Sequence, residues 1–120
     1  MAAATFTEVY KWTVARTSSF MVVGVFTGPT SYPNTGGTVG VPLPASFFGL
    51  NAFADTSDAQ LQVAPAMGPV WVVSGVGLTN YAFIDPTTGN LRLLVGTTGV
   101  EVANGVDVSA SKYLLVVWGR

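Results

Sequence analysis

The sequence predicts an all-β protein, a single-domain antiparallel β-sandwich or jelly roll of about eight short strands spanning residues 1–120. Three observations carry this. The apolar runs are short and separated by clusters of Gly, Pro, Asn and Asp, and no stretch repeats its apolar residues at helical spacing. The length suits one core. The composition is 49% hydrophobic and only 9% charged, which leaves few charges to cover the outside and predicts apolar surface shared with another chain.

Residues 5–16 place Phe6, Tyr10, Trp12 and Val14 on one parity and Thr7, Val9, Lys11 and Thr13 on the other, the period of a half-buried strand. Ser18 and Ser19 break it. Phe20 to Phe26 has no polar alternation and predicts a strand buried on both faces, ended by Gly28-Pro29. Ser31 to Gly37 combines a proline, an asparagine and two glycines, a loop chemistry that suits positive φ. Thr38 to Leu43 follows as an edge strand, because Pro42 cannot donate to a ladder.

Between Pro44 and Asp58, Phe47, Phe48, Leu50 and Phe53 form either a short helical turn or an irregular apolar plug. Ala59 to Ala64 alternates again, with Leu61 and Val63 opposed to Gln60 and Gln62. Val70 to Leu78 predicts a strand with a bulge at Gly75 or Gly77. Tyr81 to Asp85 and Asn90 to Val95 flank Pro86-Thr-Thr-Gly89 as a hairpin. The apolar run Tyr113 to Trp118 predicts a closing, fully buried strand after the turn-rich stretch Gly99 to Ser111.

The same composition narrows function. There is no cysteine and no histidine, and a formal net charge of −1 comes without a basic cluster, so nucleic acid is not an expected partner. Every apolar run is too short for a membrane-spanning helix, and the opening residues Met1 to Glu8 lack the basic and apolar regions of a secretory signal. A lipid-facing barrel and any membrane association are likewise not expected. No Gly-x-Ser-x-Gly elbow, P-loop or Gly-x-Gly-x-x-Gly occurs.

Asp55-Thr56-Ser57 is near the Asp-Thr/Ser-Gly signature of dimeric aspartic proteases, but its third position is serine and Asp58 adds a second charge. An Asx-type turn accounts for it more simply. Asp55 and Asp58 also fall short of the six to eight oxygens that calcium takes. Asp85 and Asp107 each start a turn. The aromatic residues, among them Trp12, Trp71, Trp118, Tyr10, Tyr32, Tyr81 and Tyr113, fit packing or a subunit interface better than a sugar platform. No enzyme activity, metal or cofactor is expected.

Three stretches resemble small tailed-bacteriophage virion proteins described as structural, cement or decoration proteins. Tyr32-Pro-Asn-Thr-Gly36-Gly37 is similar to a Tyr-x-x-Gly-Gly turn, one residue longer here. Tyr81-x-Phe83-x-Asp85 with Asn90-Leu91-Arg92-Leu93 is similar to their aromatic-x-Asp hairpin. Glu101 to Ser109, through Gly105 and Asp107, with Gly119 ten residues on, is similar to a Glu-x-x-x-Gly-x-Asp-Leu-Ser tail, with Val108 in place of leucine.

The resemblance implies a capsid cement protein, made in the host cytoplasm and placed on the capsid surface of the virion. There it would bridge major capsid protein subunits, commonly as a homotrimer. Interface residues are then expected on the first strand and the loops at 28–37 and 44–58: Phe6, Tyr10, Trp12, Tyr32, Phe47, Phe48 and Phe53. The alternatives are a phage tail or fibre module that binds a receptor or glycan, and a tail-tube or connector subunit.

Overall fold

A computed structural model describes residues 2–13, 20–53, 70–76, 79–85 and 87–120. The chain is all-β and antiparallel. Its described strands are β1 (Thr5–Thr13), β2 (Phe20–Thr27), β3 (Asn34–Thr35), β4 (Thr38–Val39), β5 (Val70–Val76), β6 (Asn80–Ile84), β7 (Leu91–Val95) and β8 (Lys112–Gly119). The strand expected at 59–64 lies outside the described residues.

The main sheet runs β1-β2-β8-β5. The two strands with continuous apolar runs, β2 and β8, take its centre, where neighbours on both sides satisfy their backbone groups. Their pairing is unbroken from Phe20–Gly119 to Thr27–Lys112. Both outer strands carry a register shift, between Glu8 and Tyr10 in β1 and between Val72 and Ser74 in β5. The bulge in β5 therefore falls at exposed Val73 and not at the expected glycine, since the extra residue of a common bulge type sits near the right-handed helical region open to any residue.

The second layer is smaller than a full sandwich sheet. It consists of the β6–β7 hairpin, with single bridges from Val41 to Leu91 and from Glu101 to Leu94. The expected edge strand over residues 38–43 is reduced to a two-residue ladder, in which β3 and β4 close around Gly36 and Gly37. The positive φ in this region falls later, at Gly40 (89°).

One buried cluster joins the layers. Val22 and Phe26 of β2, Tyr113, Leu115 and Val117 of β8, and Leu91 and Leu93 of β7 meet Tyr32, Phe48, Leu50, Val102 and Val108 from the connecting segments. The segment after Pro44 is both a turn and a plug. Ala45–Phe48 forms a single 3-10 turn ended by Gly49 at φ 74°, and Phe47 and Phe48 meet edge to face with centroids 5.2 Å apart.

Gly24 lies tightly against β1 beside the register shift, opposite Glu8. A Cβ there would overlap the Thr7 carbonyl oxygen and the Phe6 ring. Gly24→Ala is therefore expected to lower the stability by about 1–3 kcal/mol, because backbone and not a flexible side-chain end must yield. A shift in the urea midpoint at constant slope measures it.

Candidate subunit interface

Strand pairing sorts the main sheet into two faces, and the centre of each is apolar. The inner face carries Phe26, Tyr113, Leu115 and Val117 into the core. The outer face is built of rungs that cross the strands. Trp12, Met21 and Trp118 form one rung, and Tyr10, Val23, Val116 and Trp71 form the next across all four strands. A third carries Thr7, Val25 and Leu114. Polar residues enter in that third rung, at Thr7 and at Ser74, which pairs with Leu114, and continue at Thr5, Thr27 and Lys112.

The outer-face residues of β2 and β8 are half-buried and stand outside the core cluster. Tyr10 and Trp12 on β1 are 58% and 46% exposed, with rings stacked at 5.1 Å and 17°. At the other end Trp71 and Trp118 meet edge to face at 5.9 Å. The Trp118 Nε1 donor is buried with no hydrogen-bond partner among the described residues. A sheet face this poor in polar groups is suited to burial against another surface.

The expected interface residues divide. Tyr10 and Trp12 lie on this outer face, whereas Phe6 turns inward and packs edge to face on Phe48 at 4.8 Å. The extra residue Val9 causes the split, because a bulge reverses the alternation that would otherwise keep Phe6, Tyr10 and Trp12 together. Tyr32 and Phe48 are 0% and 2% exposed and present no surface to a partner. Tyr32 is held by its hydroxyl, which accepts the Leu93 N–H at 2.9 Å. Phe47 and Phe53 are half-buried against the core. Met21, Val23, Val25, Leu114 and Val116 were not singled out as interface residues, since uniform apolar runs read as buried on both sides.

The polar groups make structure. Asp85 accepts the Thr87 N–H at 2.8 Å, and Arg92 bridges Asp85 at 3.1 Å and Glu101 at 2.7 Å. The Thr87 N–H, then Arg92, hold the Asp85 carboxyl below the usual range. Asp107 accepts the Ser109 hydroxyl at 2.6 Å and the Ser109 N–H at 2.9 Å, which lower its pKa in that order. Ser109 and Lys112 stand at a Ser-x-x-Lys spacing, yet the serine proton is committed to Asp107.

Asp55 and Asp58 lie outside the described residues. Among the described residues no group of three or more acidic side chains is placed to hold a metal, and no helix is long and apolar enough to cross a membrane. A cleft of about 290 Å³ runs between Val70–Val72 and Ala82–Ile84. A scan against protein-family models and searches of curated proteins and of solved structures returned no match.

Proposed function

We propose that this chain is a non-enzymatic assembly protein that acts by burying the outer face of its four-stranded sheet against neighbouring subunits. The observation that carries the proposal is the rung Tyr10, Val23, Val116 and Trp71, apolar across the whole width of that face. Within that class, the turn and hairpin resemblances favour a cement protein on the outside of a tailed-phage head. It would bridge major capsid protein subunits as a homo-oligomer. The mechanism is linkage: a protein that binds the assembled shell and not its loosened form stabilises the shell by mass action.

Val116→Lys tests it, because residue 116 lies in a central strand of the face and outside the core. Added to phage heads that lack the protein, the wild type is expected to cosediment and to raise the temperature at which the heads rupture. The variant, its fold checked by circular dichroism, is expected to bind at least about ten-fold more weakly, since a lysine would be buried without a counter-charge. Absence of wild-type binding to any head removes the capsid assignment. Undiminished binding by the variant removes the face assignment.

The stacked, exposed Tyr10 and Trp12 rings favour one second reading, a tail or fibre module that binds a glycan. Glycan-array binding lost in Trp12→Ala, without head binding, would select it.

A further inference from the structure

The outer edge of β1 carries a second feature, one that points to a second copy of this chain. β1 is the edge of the sheet, nine residues long, and its free edge pairs with no described strand. From Thr7 to Thr13 every residue is exposed, including Val9, Tyr10 and Trp12. A long, aromatic edge of unpaired backbone groups is a template for another strand, and proteins that avoid such pairing keep their edges short.

We infer that β1 pairs antiparallel with β1 of a second copy, about a two-fold axis normal to the sheet that passes between Val9 and Tyr10. Two constraints select this register. Residues opposite one another in an antiparallel pair share a face, so a regular strand pairing with itself can match only residues of equal parity. The bulge at Val9 changes that. Glu8 pairs with Gly24 and Lys11 with Val22, which puts both charges on the inner-face side despite their odd separation.

By the same shift Thr7 and Trp12 share the outer face, and Phe6 and Thr13 the inner one. The self-pairing that sets Glu8 opposite Lys11 of the second copy therefore also sets Thr7 opposite Trp12 and Phe6 opposite Thr13, each pair on a common face.

The second constraint is charge. Glu8 and Lys11 are the charged residues of β1, and the register makes two opposite-charge pairs related by the two-fold. Lys11 Nζ also lies 4.4 Å from the centre of its own Phe20 ring, which holds the ammonium on the inner-face side. A register centred on Val9 would oppose Lys11 to Thr7 and leave the charges unmatched. Because the axis is normal to the sheet, the outer apolar faces of both copies join on one side as a continuous eight-stranded surface. The pairing stands independently of the capsid assignment.

Sedimentation equilibrium of the full chain, with three variants, tests it. The wild type is expected to associate reversibly as a dimer, or as an even-numbered assembly if other contacts also form. Glu8→Lys and Lys11→Glu are each expected to raise the dissociation constant of that step about ten-fold, because like charges then face each other twice. The double variant Glu8→Lys/Lys11→Glu is expected to return to within about three-fold of the wild type.

Circular dichroism confirms that the variants fold, which exposure of both residues favours. A wild type that stays monomeric or trimeric overturns the pairing, as do single reversals without effect or a double variant that does not recover. Heads decorated by a chain that never dimerises would overturn the pairing and leave the capsid proposal standing. A dimer that binds no head would do the reverse.

Discussion

Leu115→Ala is expected to destabilise the protein by about 3–5 kcal/mol, the upper part of the range for a buried leucine. Leu115 is 0% exposed on β8, a central strand of the sheet. Its partners across the two ladders are Gly24, which has no side chain, and Val72, whose branched side chain is stiff. Little nearby can move in to fill the space, so the cavity contribution stays close to its full value. Stabilities of single domains run to about 5–15 kcal/mol, so the variant approaches the unfolding threshold at 25 °C. Urea denaturation measures the loss, and a change below about 1 kcal/mol would mean that Leu115 is not at the centre of the core.

Tyr32→Phe is the second expected large effect, at about 1–3 kcal/mol, because it leaves the buried Leu93 N–H without its acceptor. The same residue sets an alkaline limit. Burial, reinforced by the nearby Glu101 carboxylate and opposed by the Leu93 N–H, pushes the Tyr32 hydroxyl up from 10.0 to about 12.

A raised folded pKa favours the neutral phenol in the native state. Its stabilising contribution is complete below about pH 10 and is lost as the pH climbs to about 12. Wild-type stability should therefore fall across that window, and Tyr32→Phe should flatten the fall. Tyr113, also pushed up by burial, leaves a residual slope.

The parts of the fold that depend on local pattern were legible in the sequence. The runs at Phe20 and Tyr113 became β2 and β8, and the turn residues between Asp85 and Gly89 closed the β6–β7 hairpin, with Gly89 N–H donating to the Asp85 carbonyl at 2.8 Å. What escaped was set by contacts remote in sequence or by one inserted residue.

Tyr32, in a loop rich in glycine and proline, reads as exposed until its hydroxyl is seen to meet Leu93 across the core. The alternation of β1 reads as one uninterrupted face until Val9 is seen to bulge. The outer sheet face was hidden for a different reason. A run with no polar residue says that both sides are apolar, but not whether the chain covers both itself.

The position of β8 has a consequence for how the chain reaches this structure. The strand nearest the C-terminal end of the sequence lies between β2 and β5, so neither of those gains its central neighbour until residues 112–119 are available. The β2–β8 contacts, from Phe20–Gly119 to Thr27–Lys112, are remote in sequence, and such pairing raises the contact order and slows folding. While the chain is being synthesised, β2 would hold Val22, Phe26 and one open edge without cover, a nascent state with an inherent tendency to aggregate.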